Sequence, residues 1–166
     1  MNSPAIIGLY TMVRKDVIRI FRIWSQTLLP PIITTALYFA IFGGFIGSQV
    51  QDIDGYSYMQ FIMPGLVMMT LITSAYMNTV STFYFAKFIK NIEELLVSPM
   101  PSWAIVAGFV AGGLVRAFLV GFLVVMTSLF FTHLTISNIF IVFAAAFLTA
   151  FLFSLAGIVN GFFAKS

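Results

Sequence analysis

What most constrains this chain is the near absence of charge over long distances. From Ala117 to Ala164 there is no Asp, Glu, Lys or Arg, and between Trp103 and Thr132 Arg116 is the only one. Soluble domains carry about 25% charged residues. Here the figure is 8%, against 61% hydrophobic residues and a mean hydropathy of +1.07. Twenty phenylalanines and nine methionines in 166 residues point to helices solvated by lipid. The chain lacks cysteine, which excludes disulfide frameworks, thiolate metal sites and cysteine nucleophiles.

The pattern predicts an all-α polytopic membrane protein, residues 1–166 forming a single transmembrane domain. A stretch of roughly twenty apolar residues crosses about 30 Å of hydrocarbon. Four stretches meet this requirement, at 28–47, 61–82, 103–132 and 138–164. Pro30-Pro31 forces a turn and opens the first span with proline in its first helical turn. The loop 48-SQVQDIDGYSYMQ-60 has Asp52 and Asp54 but no basic residue, and 133-HLTIS-137 is a short turn.

Residues 5–26 are too charged to span. On a helical wheel Gly8, Thr11, Lys15, Arg19, Arg22 and Gln26 line one stripe. Ile6, Tyr10, Val13, Val17, Ile20, Phe21 and Trp24 cover the opposite face. A basic amphipathic helix of this kind lies in the headgroup plane of a lipid bilayer. It is not a cleaved signal, because its basic residues follow an apolar start instead of preceding it. Lys and Arg also set the orientation. Outside the spans they occur in this helix, in the 83–102 loop as Lys87 and Lys90, and at Lys165; the other two loops hold none. The expected topology has both termini in the cytoplasm.

For catalysis the residues offer little. His133 is the single histidine and reads as a solvated or interfacial side chain. Asp52-Ile53-Asp54-Gly55 resembles the start of a calcium loop, but the later ligands are missing and it reads as a solvated turn. No G-x-x-x-x-G-K-[ST] phosphate cradle occurs, so neither cofactor nor metal is expected in this chain. If ATP drives the protein, another subunit binds it. Nothing points to nucleic acid.

Arg116 stands out as an intramembrane cation. It lies about 20 Å into the third span at 1.5 Å per residue, and a guanidinium at such depth costs about 2.5–3.5 kcal/mol even on lenient scales. Its partner is a backbone carbonyl, a further segment, a second protomer or an anionic substrate. The second span carries many polar side chains, from Thr70 through Asn78 to Thr82, suited to interhelical hydrogen bonds or to the wall of a polar path. Ala104, Gly108 and Gly112, and likewise Ala146, Ala150 and Ser154, form ridges of small residues where helices touch.

One segment remains. In 85-FAKFIKNIEELLVSPMP-101 the wheel puts Phe85, Phe88, Ile89, Ile92, Leu95 and Leu96 on one side, and Lys87, Lys90, Asn91 and Glu94 on the other. This predicts an amphipathic helix over 85–98, with Lys90 in ion-pair reach of Glu93 and Glu94, stopped by Pro99 and Pro101. A connector needs no such helix; resting on lipid or docking a soluble partner are its two uses.

The ordered set of basic N-terminal helix, Pro-Pro, 61-FIMPGL-66 and 87-KFIKNIEELLVSPMPSW-103 resembles ABC-2 type transporter permeases over essentially the whole chain. The resemblance implies the membrane subunit of an ATP-driven exporter, not an enzyme. It implies an elbow helix held at the membrane surface by Lys15, Arg19, Arg22 and Trp24. It makes 85–98 the coupling helix, with Lys87, Lys90, Glu93 and Glu94 meeting a separate ATP-binding subunit that holds ATP and Mg²⁺. A second permease copy, two ATPases and a location in the bacterial inner membrane are implied too. Family members continue beyond a segment like 154-SLAGIVNGFFAKS-166 into two more spans, so this chain is expected to be a fragment or a truncated reading frame. The competing readings are an ion-coupled secondary transporter, for which no span offers the buried acid that coupling commonly needs, and a structural membrane protein without transport.

Overall fold

A computed structural model describes residues 4–42, 57–131 and 138–164. The loop with Asp52 and Asp54, the turn with His133, and Lys165 lie outside these residues. Seven helices are described: α1 Pro4–Arg22, α2 Trp24–Thr27, α3 Leu29–Ile41, α4 Tyr58–Phe88, α5 Asn91–Val97, α6 Ser102–Ser128 and α7 Ile139–Phe163. Among the described residues there are no strands. The protein is an all-α polytopic membrane protein.

Among the described residues, α4, α6 and α7 are the three helices long and apolar enough to cross a membrane. α3 is the described part of the 28–47 stretch, whose remainder past Phe42 lies outside the description. Local chemistry sets the helix ends. Pro30 and Pro31 fall in the first turn of α3, where no backbone donor is lost. The backbone N–H of Ser57 donates to Gln60 Oε1 at 3.2 Å as α4 begins. Asn138 Oδ1 accepts from the backbone N–H groups of Phe140 and Ile141 at 3.1 and 3.4 Å, capping α7.

α6 is the centre of the arrangement, touching α1, α3, α4 and α7, while α4 packs most extensively on α7 and α6. The small-residue ridges decide the approach. Gly157 of α7 faces the Tyr76 carbonyl of α4, and a Cβ there would stand 3.0 Å from it. Gly161 accepts the ring of Phe83. On α6 the ridge of Ala104, Gly108 and Gly112 receives α1, not another span: Gly108 lies under Met12 and Gly112 under Asp16. Both partners advance together by one turn, so α1 runs alongside the first half of α6 in the same chain direction. Further on, Ile20 and Leu28 join Val120 and Val124 in one apolar cluster, and the rings of Phe39 and Phe131 stack at 5.7 Å.

Two expected elements come out differently. The helix over 5–26 breaks at Ile23, whose dihedrals (φ −113°, ψ 36°) leave the helical range. Most of its apolar stripe does not pack on the bundle either: Ile6, Tyr10, Phe21 and Trp24 are exposed, Ile20 alone of the stripe is buried in the core, and Met12 and Asp16, which belong to neither stripe, make the contact with α6. The helix over 85–98 is also not continuous. Nothing between Thr82 and Phe88 breaks α4, which therefore extends to about 46 Å at 1.5 Å per residue, well past the hydrocarbon thickness. Lys90 then turns the chain with φ 59°, ψ 10°, a left-handed conformation rare outside glycine, and α5 starts afresh.

Candidate functional site

A polar cluster lies where α1, α4 and α6 meet. Arg19 comes from the last turn of α1, Asn78 and Thr82 lie one turn apart on α4, and Arg116 comes from the middle of α6. Arg19 Nη2 donates to Asn78 Oδ1 at 3.1 Å and to Thr82 Oγ1 at 2.6 Å, and sits 3.4 Å from Asp16 Oδ1. Arg116 Nη1 reaches the same Asn78 oxygen at 3.5 Å. Asn78 is 1% exposed and Asp16 5%. This is the one ion pair among the described residues.

Charge in the cluster is unbalanced. Two guanidinium groups face one carboxylate, and burial pushes the Asp16 carboxyl above its ordinary range, opposed by the charges of Arg19 and Lys15. Arg116 Nε and Asn78 Nδ2 are buried with no hydrogen-bond partner among the described residues. Unmade hydrogen bonds at buried polar atoms cost about 1–3 kcal/mol each. A cavity of about 180 Å³ adjoins them, lined by Arg19, Ser81, Phe85 and both of those side chains.

The second feature is the end of the bundle that carries α5. Ile92 and Leu95 pack with Phe83, Ile105 and Phe109 in one apolar cluster. That seats α5 on α4 and α6 and turns Glu93, Glu94, Leu96 and Val97 outward, Val97 being 88% exposed. Glu93 and Glu94 fall in the first turn of α5, where carboxylates favour a helix. A larger cavity of about 630 Å³ opens between α1, the end of α4 and α5, with Lys15, Asp16, Arg19 and Glu94 in its wall.

The structure separates the residues that the sequence grouped together. Lys87 is not free at the α5 surface: its Nζ donates to the carbonyls of Phe162 and Ala164 at 3.2 and 2.8 Å, capping the end of α7. The Lys90 ion pairs with Glu93 and Glu94 do not form, because Lys90 stands in the turn before α5 and not within a helix. Arg19 points into the bundle and not to the membrane surface, whereas Lys15, Arg22 and Trp24 are exposed. Arg116 gains a neutral partner, Asn78, an outcome absent from the expected list. Asp16 was overlooked in the wheel because it belongs to neither stripe. Its position three residues before Arg19 was the available signal.

These elements define a class: an α-helical membrane domain with an N-terminal helix against α6 and a seated amphipathic helix between α4 and α6. The chain belongs to the ABC-2 type transporter family, whose model matches residues 8–166. It is 52% identical over 160 residues to the inner membrane transport permease YadH of Escherichia coli strain K12, covering 96% of this chain and 62% of that relative. The permeases of the same name from Escherichia coli O157:H7 and Shigella flexneri match to the same extent. The chain thus spans less than two thirds of the length of these relatives. No solved structure matches.

Proposed function

We propose that this chain is the membrane permease subunit of an ATP-driven exporter in the bacterial inner membrane. It contributes part of the translocation path and takes its energy from a separate ATP-binding subunit that docks on α5 and holds ATP and Mg²⁺. A second copy of the permease completes the path. The family membership supports this reading, as does the name that the relatives carry, inner membrane transport permease. The chain itself carries no phosphate-cradling motif. The excess of Lys and Arg at the α5 end supports a cytoplasmic position for that end.

The observation that carries the reading is the two-sidedness of α5. Ile92 and Leu95 fix it to the ends of two spans, while Glu93, Leu96 and Val97 face out. A helix held this way transmits a push from a docked partner into α4 and α6, which a helix floating on lipid cannot do. Glu93→Lys combined with Glu94→Lys reverses the outward charge and leaves the seating intact. Co-purification with the ATP-binding subunit should be lost while membrane insertion and yield stay normal. Undiminished recruitment by the double variant would rule out docking through this face.

A further inference from the structure

The polar cluster has more cation than its own acid can neutralise, and the surplus faces a cavity. Arg19 and Arg116 bring two positive charges and Asp16 one negative. Asn78 is 99% buried by its 1% exposure, spends its oxygen on both guanidinium groups, and keeps its amide Nδ2 unpartnered. Arg116 keeps Nε unpartnered as well. Both residues line the cavity of about 180 Å³. Both buried polar atoms left without a partner at this site are therefore hydrogen-bond donors, beside a net positive charge. That is the complement of an oxyanion, and the planar guanidinium fork suits phosphate in particular.

The rest of the wall says how such a group arrives. Ile23 and Phe85 also line the cavity, and both are exposed at the outer, apolar surface. Trp24, next to Ile23, is exposed too. An occupant that enters past these side chains brings hydrocarbon with its charge. We propose that this cavity binds the phosphate of an anionic phospholipid, held by Arg116, Arg19 and the Asn78 amide, with its chains along the apolar surface beside Ile23 and Phe85. The site then serves as a strut: the bound phosphate ties α1 to α4 and α6 at the place where their own side chains leave donors unused. It is independent of the docking reading, since binding needs no ATP-binding subunit.

The test uses the full chain in neutral detergent, with thermal unfolding followed as phosphatidylglycerol, phosphatidylcholine or inorganic phosphate is added. Phosphatidylglycerol should raise the melting temperature saturably, and the other two should not. Arg116→Gln should weaken the half-saturating concentration by about tenfold or more, the loss of a charge-assisted hydrogen bond. Arg14→Gln removes an equal charge from an exposed position on α1 and should leave the effect unchanged. If Arg116→Gln does not fold, Arg116→Lys keeps the charge but not the fork and should bind more weakly. Native mass spectrometry should count one tightly held phosphatidylglycerol per wild-type chain. An equal response to inorganic phosphate would make the occupant a free ion and overturn the lipid assignment. An equal response to phosphatidylcholine, or one unaffected by either Arg116 variant, would overturn the site itself.

Discussion

Asn78 Oδ1 accepts from two guanidinium groups, and the Asp16 carboxylate beside them is nearly as buried as the amide. Burial raises the pKa of Asp16 above 3.8 more than Arg19 and Lys15 lower it. The folded chain then binds the proton more tightly than the unfolded one, so stability falls as pH rises between 3.8 and the folded value. The melting temperature of the wild type relative to Asp16→Asn should accordingly increase as pH is lowered from 7 toward that window. A difference that shrinks on acidification would mean that Arg19 governs the carboxylate instead. Gly113 makes a separate case. A Cβ there would run into Thr79 Oγ1 and stand 3.2 Å from the Ala75 carbonyl, both on α4. Gly113→Ala should destabilise the protein by about 1–3 kcal/mol, the usual cost of overpacking, visible as a lower melting temperature. Arg116 was legible in the sequence as a cation needing a partner, because its depth in an uncharged run is plain from counting. Asn78 as that partner was not, since nothing in the order of residues says which of the many polar groups in the second span faces the third.

At the scale of elements, the amphipathic wheel of 85–98 was right about Ile92 and Leu95, which pack on the bundle, and wrong about Leu96, which faces out, and about continuity. Helical periodicity persists through Phe88, Ile89 and Lys90, and a wheel cannot register a single left-handed residue. That residue has a testable consequence. Lysine in the left-handed region costs about 1–2 kcal/mol relative to glycine. Lys90→Gly should raise the melting temperature, and Lys90→Ile, with a β-branched side chain, should lower it. The reverse order would mean that the turn is not formed as described. Lys87 illustrates another blind spot. Its spacing matched a docking face, but the end of α7 lies beside it, and carbonyls without helical partners claim its ammonium. For α1 the wheel had no means of showing that Met12 and Asp16, which belong to neither stripe, form the edge that α6 takes.

The whole molecule is organised around α6, which is more fully buried than the other two spans. Its small residues admit α1 on one side, and Gly113 admits α4 on another. The existence of α4, α6 and α7, and the approximate limits of the last two, were legible because hydrophobic length alone defines them. Their neighbours were less so, since in lipid the pairing depends on shape and on scattered polar atoms, not on hydrophobic pattern. In the proposed function α5 is a seated docking helix through which an ATP-binding subunit drives α4 and α6. Because the chain has no cysteine, a single introduced thiol reports this without interference. Val97→Cys on α5 and Phe140→Cys at the start of α7 are both highly exposed, 88% and 78% in the parent residues. They can be cross-linked in membranes that also contain the ATP-binding subunit. The account predicts an adduct with that subunit from Val97→Cys and none from Phe140→Cys. Adducts from Phe140→Cys, or a co-purifying complex with no adduct at Val97→Cys, would contradict it.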